Sequence, residues 1–396
     1  MFQALVVTLL GVKLLVIASN TSVPDGAVRI DPVTFAVIGT NGTFRDDDTP
    51  FNPTNSSPPV FQVFSDEFLD VLGPAPSIRV IAENNTFAFA HEAPVYISAS
   101  EDFFFASNGG GALGYSGLNQ SNQYSKINLK EADGTSGLVN YTKITLSNDL
   151  QMMNGATLHQ GNILLMSQGR GNIPATMALL NPFKPYNTTV LLDNFYGRQF
   201  NSLNDVKVHP TSKAFFFCDV AYGYYQNFRP TPDIPNQVYR YDPKTRAVRV
   251  VADGLNKPNG IAFSADGKTA FVSLPSCSTD TGAASAAFGT NWTLPSTIYK
   301  YDVEEGSQSF ANRRVFAYSD NGIPDGIQLD SKGNVYAGCG DGVHVWNPSG
   351  ELVGKFFLGS LSANMAFAGP GRLVILAETR IYLAKIAASG QNLENL

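Results

Sequence analysis

At 396 residues, with 43% hydrophobic and only 15% charged residues, the chain is long enough for two domains or for one large all-β unit. Its 36 glycines and 23 prolines exclude a long-helix architecture, and 27 phenylalanines with 16 tyrosines favour strands. A net charge of -6 with no Lys/Arg run argues against nucleic acid as a partner, and a single long apolar segment excludes a multi-span membrane protein.

That segment comes first. Phe2 to Ala18 is apolar except for Gln3, Thr8, Gly11 and Lys13, and it ends Val16-Ile17-Ala18-Ser19. Residues 1–18 read as a signal peptide, although no Lys or Arg precedes the apolar stretch. An uncleaved anchor is the alternative; Lys13 and the short length argue against it. The expectation is a secreted protein with no membrane attachment after cleavage. Sequons at Asn20, Asn41, Asn55, Asn84, Asn119, Asn140, Asn187 and Asn291 agree with a glycoprotein. Cys218, Cys277 and Cys339 allow one bridge and leave one thiol over, so the fold must stand on hydrophobic burial. Residues 19–59 read as an irregular N-terminal arm, rich in Asp, Asn, Pro and Ser from 41 to 60.

From residue 60 to 396 the chain repeats itself. EAPVYISASEDFFFAS at 92–107 aligns without a gap with NDVKVHPTSKAFFFCD at 204–219. PNGIAFSADGK at 258–268 aligns with PDGIQLDSKGN at 324–334, and both match 203–213. Weaker copies lie at 154–167 and 364–377. A second repeat falls between them: Val238-Tyr239-Arg240-Tyr241-Asp242, Ile298-Tyr299-Lys300-Tyr301-Asp302, and more loosely Val343 to Pro348. Four short strands recurring every 50 to 65 residues describe a propeller blade, so the predicted fold is an all-β, six-bladed β-propeller. The segments 61–64 and 380–384 are expected to close the ring from opposite ends of the chain.

Other chemistries lack their context. Gly109, Gly111 and Gly114 have dinucleotide-loop spacing, but Tyr-Ser-Gly-Leu-Asn-Gln follows, which is no helix. There is no G-x-S-x-G elbow, and no pair of the 4 histidines has zinc-site spacing.

Equivalent positions in a propeller converge on its axis. The residue at the start of each inner strand is Glu92, Asn154, Asn204, Asn259, Asp325 and Asn364. Each carries a side-chain oxygen, and a convergent oxygen set suits a hard cation: Ca²⁺, or another divalent ion. Glu92 and Asp325 supply charge; Asn204 and Asn259 supply neutral oxygens. Taken singly, Asn-Asp, Asn-Gly and Asp-Gly are also ordinary turn pairs.

The segments around Glu92, Asn204-Asp205, Pro258-Asn259-Gly260 and Pro324-Asp325-Gly326 resemble the gluconolactonase/regucalcin-like family of calcium-dependent lactonases. Gly197 to Val206 and Gly338 to Trp346 look like its fungal lactonohydrolases, which open aldonate and pantoyl lactones. The resemblance runs from about residue 60 to 390. It implies calcium ligands at Glu92, Asn259 and Asp325, with Asn204 facing metal or substrate, and Asp205 as a neighbouring or substrate-contacting carboxylate. Asp325 is the family's candidate base; Asp205 and His91 are alternative proton acceptors. Arg198 and His344 are candidate substrate contacts. Two departures stand out. Ser202 occupies the place of an Arg, and Phe271 to Ser276 lacks the usual Thr-Asp pair before a Ser/Ala/Thr-rich stretch at 275–297. The expected function is lactone hydrolysis on a small molecule. The alternatives are a propeller recruited to secondary metabolism for a non-hydrolytic reaction such as a cycloaddition, and a binding propeller with calcium as a plug.

Overall fold

The computed structural model describes residues 22–46, 49–111, 113–275 and 293–391. It is a six-bladed propeller, each blade an antiparallel sheet whose first four strands run outward from the axis. The inner strands are Glu92–Ile97, Met153–His159, Leu203–Val208, Ile261–Phe263, Ile327–Leu329 and Asn364–Phe367, and they open blades one to six in that order.

Blade faces explain the sequence pattern. A blade is covered on both sides, so its middle strands are apolar on alternate and on adjacent positions alike. In Phe103-Phe104-Phe105, the outer two rings pack with Val374 and Leu376 of blade six, and Phe104 packs with Ile163 and Leu165 of blade two. Phe215-Phe216-Phe217 repeats this, with Phe215 and Phe217 against blade two and Phe216 against Ile261 and Val272 of blade four. One apolar cluster therefore fills each of the gaps between blades. Each fully buried Phe contributes about 1.5–3 kcal/mol. The internal repeat Val238–Tyr241, Ile298–Tyr301 and Val343–Trp346 falls on third strands of blades three, four and five.

Ring closure differs from the expectation. Arg380–Lys385 is the third strand of blade six, and its outer partner is Ser77–Glu83. Val60–Val63 is a strand too, but it pairs with Leu352–Phe357 at the edge of blade five. There it carries Ala27–Arg29 in parallel, so the arm contributes a strand before its short helix Pro32–Ala36. The interval between 63 and 77 holds the helix Glu67–Leu72, which packs under blade five through Phe68. Sequence-distant pairing leaves no local mark, so strand existence was readable and partner choice was not.

Two local devices shape the upper mouth, where the inner strands begin. In blades one to three the inner strand carries a β-bulge there, between Glu92 and Val95, Met153 and Ala156, and Leu203 and Val206. A bulge turns side chains off the strand's regular alternation. Beside them Gly155 and Gly260 let neighbouring blades touch: a Cβ at Gly155 would meet the Asn204 backbone oxygen at 2.2 Å, and one at Gly260 the Asp325 backbone oxygen at 2.3 Å.

Candidate active site

The upper mouth gathers the polar register. Ligand atoms of His91, Glu92 and Asp325 lie within 4.8 Å of one another. Glu92 Oε2 accepts 2.8 Å from Asn364 Nδ2, which ties blade one to blade six at the axis. Asn259 stands beside Asp325 and reaches the Tyr222 hydroxyl at 3.5 Å. Asn154, Asn204 and Asn259 are all buried, as are both carboxylates. Among the described residues, Asn154 Oδ1, Asn204 Oδ1 and Asp325 Oδ1 have no hydrogen-bond partner. Buried oxygens of this kind are rare and costly.

Electrostatics press the same point. Burial raises the Asp325 carboxyl to about 6, against the pull of His91. Burial, then repulsion from Asp325, raises Glu92 well above the usual carboxylate range. His91 Nδ1 lies 2.5 Å from Glu378 Oε1, and Asn108 Nδ2 donates to Glu378 Oε2 at 3.0 Å. Burial alone would lower His91, but Glu378 outweighs it and the imidazole rises to about 9. Two mutually repelling carboxylates, three amide carbonyl positions and partnerless oxygens form an anionic, oxygen-rich donor set. That set suits a divalent cation on charge and on hardness.

The pattern of the SMP-30/Gluconolactonase/LRE-like region matches residues 127–378, more than half of the sequence. The chain belongs to this family. As a member of the gluconolactonase-like family it is 29% identical over 325 residues to the lactonohydrolase oryL of Aspergillus oryzae, covering 76% of this chain and 68% of that one. It is 31% identical over 175 residues to a gluconolactonase of Zymomonas mobilis, covering 42% and 44%. The solved gluconolactonase of Xanthomonas campestris superposes with a TM-score of 0.63 at 22% identity, over 82% of this chain and 93% of that one. At that identity the superposition speaks for the fold.

The structure separates the residues predicted for the site of this gluconolactonase-like chain. His91, Glu92, Asn204, Asn259 and Asp325 share the upper mouth. Asp205 does not present a free carboxylate. Its Oδ1 accepts from Val206 N at 2.8 Å and its Oδ2 from Ile261 N at 3.1 Å, so it is a brace between blades three and four. Arg198 is exposed on the turn paired with Phe195, away from the buried set. The buried arginine near Ser202 is Arg229, which donates to the carbonyls of Asn201, Phe200, Gly171 and Ile173. Ser202 caps Gly223 N instead of meeting a ligand. Ser273, in the strand that lacks Thr-Asp, bonds Gly260 N and the Asp325 carbonyl, and so positions Asp325. Cys218 and Cys339 are buried free thiols; Cys277 and most of 275–297 lie outside the described residues.

His344 belongs to blade five. It is fully buried, with Nε2 at 2.5 Å from Asp341 Oδ1, and Lys355 bridges Asp341 and Asp320 at 3.1 and 2.6 Å. Arg45 of the arm closes on Asp320 at 3.0 Å. Burial pulls the imidazole down, but Cys339 and Asp341 outweigh it and raise it to about 9. A folded value above the unfolded 6.5 means stability that is full below about pH 6.5 and lost as pH rises through about 9. His344→Leu is therefore expected to cost roughly 3 kcal/mol at pH 6. Thermal unfolding of variant and wild type should show the gap narrowing by pH 10; a pH-independent gap would mean a neutral His344.

Sequence reasoning missed Glu378 and Tyr222. Glu378 directly follows the second strand of blade six, as Gln168 follows that of blade two, and Asn108 stands two residues after that of blade one. A polar residue recurring there was the available signal. Tyr222 sits on the short helix Tyr222–Tyr225, which no repeat announces.

Proposed function

We propose that this chain is a calcium-dependent lactone hydrolase working at the upper mouth. The observation that carries it is the set of buried, partnerless oxygens around Glu92 and Asp325. The kinship with a lactonohydrolase and a gluconolactonase supports the reaction class. Glu92, Asn204, Asn259 and Asp325 would hold the cation, with Asn154 as a further oxygen. A divalent cation there supplies Lewis-acid polarisation of an ester carbonyl and charge balance for the oxyanion.

The chain's own groups do the rest. Glu378 occupies His91 Nδ1, which leaves Nε2 as the ring nitrogen for the mouth. Raised to about 9 by Glu378, His91 is there a proton donor, able to give its Nε2 proton to the substrate's carbonyl or leaving oxygen, with Glu378 fixing the ring. Asn364 holds Glu92, and Ser273 holds the Asp325 backbone, so both carboxylates are set before substrate arrives. Asp205 braces blades three and four through Val206 N and Ile261 N.

The finer reading is a secreted glycoprotein acting on aldonate, pantoyl or aromatic lactones. Its support is the apolar segment 2–18, which lies outside the described residues, and exposed sequons at Asn41, Asn55, Asn119, Asn140 and Asn187. Among the described residues no helix is long and apolar enough to cross a membrane. The test is proton release from a panel of glucono-, galactono-, pantoyl and aromatic lactones, with calcium and with EGTA. Turnover that EGTA removes and calcium restores is expected. A folded, calcium-binding protein inert on every lactone would sink the hydrolase.

A further inference from the structure

The other end of the central channel holds a second cavity, of about 380 Å³, where the inner strands finish. That volume sits at the low end of small-molecule sites. Its wall is mainly apolar, with Leu158, Val208, Phe263, Leu329 and Phe367 contributed by five blades. Besides Tyr96 and the rim residues Ser389 and Gln391, the inner strands bring three polar side chains to it: Thr157 of blade two, Lys207 of blade three and Gln328 of blade five. All three are more than nine-tenths buried.

None of the three has a hydrogen-bond acceptor or donor for its side chain among the described residues. Lys207 Nζ comes no nearer than 4.0 Å to Asp205 Oδ2, whose oxygens already serve Val206 and Ile261. Lys207 thus has only a long ion pair, and the hydrogen-bonding capacity of all three polar ends is left for whatever fills the chamber. Three of them meeting in one apolar chamber make a recognition site. A lysine excludes a metal cation. Lys207 offers an anion one positive charge, which Asp205 at 4.0 Å already offsets in part, and this disfavours a dianion such as phosphate. Lysine, amide and hydroxyl together supply the donors that two carboxylate oxygens accept.

We propose that the lower cavity binds a small organic monocarboxylate with an apolar body, its carboxylate on Lys207, Gln328 and Thr157. Ser389, Gly390 and Gln391 line the rim of this cavity, and Gln391 N donates to the Leu329 carbonyl at 3.2 Å. The ligand therefore lies between the inner strands and the C-terminal segment. The inference does not depend on lactone hydrolysis, because it uses no residue of the upper mouth.

Calorimetric titration of the full chain with octanoate tests it, with 1-octanol as the uncharged control. Arms with calcium, with EGTA and with Asp325→Asn separate binding at the upper mouth. One site is expected, unchanged by EGTA or Asp325→Asn. Loss of a charged hydrogen bond should weaken binding about tenfold or more in Lys207→Met, and Gln328→Leu should weaken it less. Octanol should bind about tenfold more weakly than octanoate for the same reason. Gln328→Leu guards against a Lys207 variant that fails to fold. Octanoate binding that follows calcium and Asp325 would overturn the proposal, as would equal affinity in Lys207→Met, or no binding by folded wild type at millimolar octanoate, which would mean a channel holding water only.

Discussion

Asp325→Asn should lower kcat/KM for lactone opening by about a thousandfold or more, since it removes a charge on which both cation binding and oxyanion balance rest. The substitution keeps shape and leaves Ser273's bond to the backbone carbonyl intact. The fold should not suffer. In EGTA the variant should melt at or above the wild type, because the repulsion that raises Glu92 is gone. In calcium the order should reverse. A cation at a hundred times its Kd stabilises the wild type by about 2.7 kcal/mol, and the variant gains little. Melting curves in both buffers, read beside kcat/KM, distinguish this from simple misfolding. A variant that loses activity and still gains the full calcium shift would take Asp325 out of the cation site.

Gly260→Ala should be strongly destabilising for a single added methyl. The added carbon would stand 2.3 Å from the Asp325 carbonyl oxygen and 2.9 Å from Ile327 N, both backbone atoms of the next blade. Nothing there can rotate away, so blades four and five must part. A cost of about 3 kcal/mol is expected, at the upper end for overpacking. Activity should fall with it, because the displaced carbonyl belongs to Asp325 itself. Gly117→Ala, where the same carbon meets nothing within 4 Å, is the control and should leave both unchanged. Equal melting temperatures for the two variants would show that the blades are not in contact at this level.

The architecture was legible because blade interfaces write themselves into short runs of sequence. Phe103-Phe104-Phe105 and Phe215-Phe216-Phe217 look alike because each must satisfy two neighbouring blades at once. The upper mouth was legible for a related reason: one register position per blade points at the axis, so Glu92, Asn204, Asn259 and Asp325 could be grouped before any contact was seen. What failed were the assignments that needed direction. Asp205 follows Asn204 directly, yet the bulge sends its carboxylate to two backbone N–H groups. His344 lies on a strand whose residues are all buried, and its partners Asp341 and Lys355 satisfy it inside the blade. Glu378 is separated from His91 by 287 residues, a pairing no local pattern reveals.

The closing strand also sets a timetable for synthesis. Ser77–Glu83 has no sheet partner until Arg380–Lys385 exists; Glu83 and Arg380, which bond across that seam, are 297 residues apart. At usual translation speeds that is a wait of roughly 15–60 s. For that time the emerging chain carries an unpaired strand edge at its front, open to wrong partners. Completion of the ring is thus nearly the last event after elongation, and a polypeptide stopped short of Lys385 is expected to be a substrate for chaperones and proteases.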